Sequence, residues 1–216
     1  MCVDATMTYR LAYVGYALLL MATAGCLSPF GEAPKTHTYQ LSLDNRRSDT
    51  RAADAGAPVL LVSLPQAEPG FETPRMVYVK RPYELEYYAL NQWADAPARM
   101  FLPLLVQVLG ESGVWRDVVS LPSAVPEDYR LDSYGLTLQQ EFFQQPSRVR
   151  LTARMQLVDM KQSSIVGMQT FEVAEPASSE NAYGGVLAAN RAVAVMLDQV
   201  AAWVRDCVQR SPGCRR

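Results

Sequence analysis

Residues 148–160 read RVRLTARMQLVDM, and the fold is decided by their alternation. Val149, Leu151, Ala153, Met155 and Leu157 are interleaved with Arg148, Arg150, Thr152, Arg154 and Gln156. Successive side chains of a strand point to opposite faces, so this segment predicts a long strand with one face on a core and the other in water. A comparable stretch, Tyr129 to Gln144, precedes it across Gln145-Pro146-Ser147, and a further one, Ile165 to Ala174, follows the turn KQSS at 161–164. Three long antiparallel strands in succession are therefore predicted.

Working outward, APVLLVSLP at 57–65 is a continuous apolar run bounded by prolines, the signature of a central strand buried on both faces. Structure begins at TYQLSL, residues 38–43, and WRDVVSLP at 115–122 adds a short strand. The stretch RMVYVKRPYELEYYAL at 75–90 reads as a hairpin around Arg81-Pro82-Tyr83, with Val77 and Val79 on one face and Met76, Tyr78 and Lys80 on the other.

Two helices are expected. Asp95 is placed to cap the first, Pro97 fits its opening turn, and Phe101, Leu104, Leu105, Val108 and Leu109 recur with helical spacing, while Pro103 is expected to kink it or delay its start. The second runs from about Gly185 to Val208, with a polar stripe at Arg191, Asp198 and Arg205 opposite Leu187, Val193, Met196, Leu197, Val200 and Val204. Together these elements predict the α+β class: a mixed, largely antiparallel sheet with two main helices on one face, in a single domain.

Ahead of the domain, LAYVGYALLLMATAGC at 11–26 has one cation just upstream, a short apolar run and the small pair Ala24-Gly25 before Cys26. This is the layout of a signal peptide, and the run is shorter than the roughly 20 apolar residues that a span requires. The segment resembles a bacterial lipobox at Ala24, Gly25 and Cys26, with Thr23 where Leu is usual, so Cys26 is the expected site of lipid attachment and the means of membrane anchoring. Either Met1 or Met7 serves as a start, and Leu27 after the cysteine favours the outer membrane over the inner one. The expected organisation is a leader at 1–25, a Pro- and Gly-containing tether at 26–36, a domain at 37–210 and a tail at 211–216, with an exposed charged loop at 44–56.

Charge is close to balanced, 20 Lys and Arg against 22 Asp and Glu, and no basic block is interleaved with aromatics, which argues against a nucleic-acid partner. Cys207 and Cys214 flank a Ser-Pro-Gly turn and have three readings: a disulfide, favoured by an oxidising compartment, free thiols, or a metal site that would need further ligands. The one histidine, His37, lies beside the tether, and neither a G-x-S-x-G motif nor a phosphate-binding loop is present, so neither an enzyme nor a cofactor is expected. Glu84 and Glu86, two apart on a predicted strand, read as a solvated face before they read as an acid-base pair. Arg148, Arg150 and Arg154 read likewise as a wet sheet face before a cationic strip. Gly184-Gly185 reads as a flexible helix start before an anion site. Tyr78, Tyr83, Tyr87, Tyr88 and Trp93 make the hairpin and its exit dense in aromatics, where most rings are expected in the core and one or two at a partner interface, with Tyr87, Tyr88 and Trp93 the candidates.

Taken in order, the lipobox, the tether, Tyr39 and Leu41, Pro74-Arg75, and Asn91-Gln92-Trp93-Ala94 before an amphipathic helix resemble the ABC-type transport auxiliary lipoprotein family, which includes the lipoprotein of the paraquat-inducible Pqi system. The resemblance covers about residues 36 to 205. It implies a non-enzymatic periplasmic lipoprotein whose partners are an MCE-domain protein and an ABC permease and ATPase on separate chains, in traffic of lipids or other hydrophobic substrates. A homo-oligomer is compatible with it, and the competing reading is an assembly lipoprotein of the outer membrane with no transporter involved.

Overall fold

The structure is a computed structural model and describes residues 34–44, 53–209 and 214. The leader, Cys26 and most of the tether lie outside the described residues. The elements in chain order are β1 (His37–Tyr39), β2 (Val59–Val62), β3 (Arg75–Val79), β4 (Glu86–Trp93), α1 (Pro97–Gly110), β5 (Asp117–Ser120), β6 (Tyr129–Glu141), β7 (Arg148–Asp159), β8 (Ser164–Pro176) and α2 (Ala182–Gln209).

All eight strands form one mixed sheet built around β6. On one edge β6 pairs antiparallel with β7, which pairs antiparallel with β8. On the other edge its first residues pair in parallel with β2 and its last with β3. The segment between β2 and β3 fills the gap: Ser63 N donates to Leu131 O (3.0 Å), Gln66 N to Ser133 O (2.9 Å) and Glu68 N to Leu136 O (3.1 Å). β5 extends the sheet beyond β2, and β4 and β1 extend it beyond β3. A register shift between Tyr134 and Thr137 is centred on Gly135, whose φ of 63° favours glycine.

The predicted alternation in β7 sets the layers. Val149, Leu151, Ala153, Met155 and Leu157 are buried, and α2 lies over β7 and β8 with Ala188, Ala189, Ala192, Val193, Met196, Leu197, Val200 and Val204 turned inward. Alanines on that face bring the helix axis close to the sheet. α1 packs beside it over β2 and β5 through Phe101, Leu105, Val108 and Leu109. α2 is long and apolar enough to cross a membrane, but more than half of its most apolar window is buried in the domain, as in a core helix. β2 is buried at all four positions, as expected of a strand paired on both sides.

Several local expectations are corrected. Asp95 does not cap α1: the cap residue is Ala96, and the Asp95 carboxylate accepts from its own neighbour Ala96 N (2.7 Å) and pairs with Arg99 (3.5 Å). Pro103 does not delay the start of the helix, which begins six residues before it and continues to Gly110. Leu187 sits on the polar side of α2, one turn before Arg191, and is 38% exposed. The start of α2 is not a loose glycine turn, since Asn181 Oδ1 accepts from Gly184 N (2.9 Å) and both glycines are buried. A Cβ at Gly184 would run into the backbone of Ser179, and one at Gly185 into the side-chain amide of Gln140.

Gly185→Ala therefore displaces a buried, hydrogen-bonded glutamine and should cost about 1–3 kcal/mol in denaturant unfolding. Gly110→Ala, where a Cβ meets nothing within 4 Å, should be neutral or stabilising by up to about 1 kcal/mol.

Candidate functional site

The residues singled out from the sequence divide between surface and core. Trp93 is 3% exposed and packs in the main cluster, so it offers no surface to a partner. Tyr88 points the same way: its ring lies 4.7 Å from that of Tyr78, and its hydroxyl donates to Gln140 Oε1 (3.0 Å). Burial, with smaller contributions from Tyr78 and Glu180, pushes its phenol up to about 12. Tyr88 and Trp93 are thus among the rings expected in the core, and the register shift in β4 between Tyr87 and Gln92 lets these two residues, five apart, share its helix-covered side. Tyr87 faces the opposite side, half-buried, donating to Gly70 O (3.2 Å) with the Arg75 guanidinium 3.7 Å above its ring.

Beyond Tyr88 a polar chain continues inside the domain. Gln140 Nε2 donates to Ser147 Oγ (3.0 Å), and Ser147 N donates to Glu180 Oε1 (2.8 Å). Gln140 and Ser147 are almost fully buried, so this chain ties β4, β6, the β6–β7 turn and the approach to α2 into one unit.

The arginines of β7 are not a free cationic strip. Arg148 Nε (2.9 Å) and Arg150 Nε (2.8 Å) converge on Glu141, which is 3% exposed, and Arg150 also pairs with Glu172. Arg154 lies against the Met168 sulfur. Burial pushes the Glu141 carboxyl up, but donors from Arg150, Gln139 and Arg148 outweigh it and hold the group below its ordinary 4.5. The same contact raises Arg150. Sequence reading found the arginines and missed their carboxylate. The signal was available: pairing β6 and β7 across the 142–147 turn sets Glu141 opposite Arg148 and Gln139 opposite Arg150.

Glu84 and Glu86 do not share a strand. Glu84 lies in the turn, paired with Arg81 (2.7 Å), and Glu86 opens β4, accepting from the Tyr78 hydroxyl (2.7 Å) with Lys80 at 3.6 Å. His37 stacks beside Tyr39 in β1. Among the described residues no group of three or more His, Cys, Asp or Glu side chains stands together as a metal site. Cys207 and Cys214 are joined as a disulfide with their Cα atoms 4.7 Å apart. Cys214 N donates to Val166 O (3.2 Å), so the bridge fastens the end of α2 to β8, over Gly167.

An open groove of about 1050 Å³ runs along the outer side of α2. Tyr183, Leu187, Ala194 and Arg205 line it from the helix, facing Leu43 and the end of α1 at Glu111 and Ser112. Arg191 at its rim is already engaged with Glu175 (3.3 Å). Its mixture of exposed apolar and charged side chains has the chemistry of a contact surface.

The family model described as the ABC-type transport auxiliary lipoprotein component matches residues 39–201. Among solved structures, a Xanthomonas campestris protein of the family model DUF330 superposes with a TM-score of 0.67 at 21% identity, over 80% of this chain and 96% of its own. An uncharacterized protein superposes at 0.59 with 15% identity, over 79% of this chain and 99% of its own. At these identities both establish the fold alone. No curated protein matches the sequence.

The Glu141 cluster makes a pH prediction. A carboxyl whose folded pKa lies below 4.5 contributes stability that is complete above that value and is lost as pH falls through the folded pKa. Glu141→Gln should cost about 3 kcal/mol at pH 7, because two arginines lose a buried partner. It should also flatten the loss of stability below pH 4.5 in urea titrations taken at successive pH values.

Proposed function

The chain belongs to the ABC-type transport auxiliary lipoprotein family, and on that premise we propose that it is a periplasm-facing protein, held at a membrane by lipid on Cys26, serving an ABC transporter as a non-enzymatic accessory subunit. The observation that carries this reading is the family match over nearly the whole folded domain, read together with the Ala24-Gly25-Cys26 sequence ahead of it. The charged groups singled out from the sequence support it, because Glu84 and Glu86, weighed as an acid-base pair, and Arg148 and Arg150, weighed as a cationic strip, are engaged in ion pairs within the domain.

The finer reading is that the transporter is of the MCE type, with its MCE-domain protein, permease and ATPase on separate chains, and that its cargo is a lipid or another hydrophobic molecule. The motifs at Tyr39, Leu41, Pro74-Arg75 and Asn91 to Ala94 support it by their resemblance to the lipoprotein of such a system. In this account the domain works by contact. The outer membrane, favoured by Leu27 after the cysteine, is the surface at which it is held, and the disulfide between Cys207 and Cys214 keeps the end of α2 in place in an oxidising compartment.

Cys26→Ser should abolish metabolic labelling with palmitate and release the protein from the membrane fraction, while its disulfide and thermal unfolding stay unchanged. Labelling that survives the substitution contradicts the anchor. Envelope function that survives complete release contradicts the need for anchoring.

A further inference from the structure

The β3–β4 hairpin and the β6–β7 turn leave the sheet at the same end, because β3 and β6 are parallel neighbours with Val79 opposite Glu141, and Phe142 N donates to Val79 O (2.9 Å). This end carries three large apolar side chains in water: Tyr83 at 106% relative exposure, Phe143 at 49% and Leu85 at 40%. Tyr83 is also the odd residue of the hairpin, with a φ of 69°. The left-handed region suits Gly or Asn and is strained for a bulky residue. Folding gains nothing from a tyrosine there, since its ring is fully exposed.

The cations at the tip are already matched. Arg81 pairs with Glu84 (2.7 Å) and Lys80 with Glu86 (3.6 Å), so the end presents aromatic and aliphatic groups without a net charge of its own. Rings of this kind, amphipathic or apolar and held on short turns, favour the headgroup level of a bilayer.

The direction of the chain supplies the occupant. β1 runs parallel to β4, with His37 opposite Asn91, so the chain reaches the domain from the hairpin end. Cys26 precedes His37 by eleven residues, which span at most about 40 Å when fully extended. The register shift between Arg75 and Val77 shortens the advance of β4, so from the level of Asn91 to the turn at Tyr83 is roughly 20 Å. A lipid on Cys26 therefore cannot lie more than about 20 Å beyond the tip. Such a leash is too short to let the domain stand off from the bilayer by its own length. We infer that this end of the sheet, through Tyr83, Phe143 and Leu85, rests in the interface of the same phospholipid bilayer that holds the acyl chains. The inference depends on acylation of Cys26, and the test separates the two.

The acylated full chain is extracted in detergent and reconstituted into vesicles of phosphatidylethanolamine and phosphatidylglycerol, with an environment-sensitive fluorophore on Tyr83→Cys, Phe143→Cys or Gln162→Cys. With Cys26 acylated and Cys207 bonded to Cys214, each new thiol is the one available for labelling in the mature chain. Gln162 is exposed in the β7–β8 turn at the opposite end of the sheet. The expected result is a blue shift at 83 and 143, with quenching by lipids brominated near the headgroup at least about twofold greater than at 162. Labels at 83 and 143 as wet as that at 162, on protein that floats with the vesicles, overturn the inference and leave the anchor standing. A shift at 83 that appears only when a protein partner is added assigns the tip to that partner and also overturns it. Failure to float shows that the anchor is absent, and the inference falls with it.

Discussion

Strand β6 bonds along both edges, and the rest of the domain depends on that constraint. One edge belongs to β7 for almost its whole length, while the other is shared in turn by β2, the Ser63–Glu68 segment and β3. Pairing along both edges uses most of the backbone donors and acceptors of this thirteen-residue strand, so its register fixes the level of its neighbours. The helices then have one apolar face to cover, because Leu131, Leu136 and Leu138 of β6 join the odd-numbered side chains of β7 beneath them. The opposite face is closed at its hairpin end by ion pairs on Glu141 and by Phe71, Val77 and Val79. This explains how a buried carboxylate comes to lie on the face predicted to be wet.

The sheet was legible because its signals are periodic. The alternation of β7, the unbroken apolar run of β2 and the hairpin at Arg81-Pro82-Tyr83 each set an element within a few residues of its place, and the two-layer arrangement follows from them. What the sequence withheld depends on contacts between distant segments. The parallel pairing of β2 and β3 to one strand leaves no local trace. Neither does the chain from Tyr88 through Gln140 and Ser147 to Glu180, whose members lie far apart in sequence and meet only once the strands are ordered. Leu187 was assigned to the apolar side because it is a leucine, yet its spacing of four from Arg191 puts both on the outer stripe. Pro103 shows tertiary packing overriding a local rule: Phe101, Leu105, Val108 and Leu109 are buried on both sides of it, and that burial holds the helix together.

The functional residues divide in the same way. The proposed acylation sequence is a local motif and needs no tertiary contact to be recognised. The aromatics around the hairpin could not be sorted by type, since Tyr87, Tyr88 and Trp93 have different fates that depend on which face of β4 each occupies. Tyr83, in the same aromatic group, has the greatest exposure and the unusual backbone. The domain that results pairs several of its charges internally and has a groove along α2, an apolar hairpin end on the side from which the chain arrives, and an end of α2 joined to Cys214 by a disulfide.

The central claim is that this domain serves an ABC transporter, and it is tested most directly by crosslinking in intact cells. The tagged protein is then purified from detergent and its bound chains identified by mass spectrometry. The account predicts recovery of an ABC permease and ATPase together with an MCE-domain protein. Recovery of outer-membrane barrel-assembly or lipopolysaccharide-export proteins, with no transporter subunit among them, would contradict it.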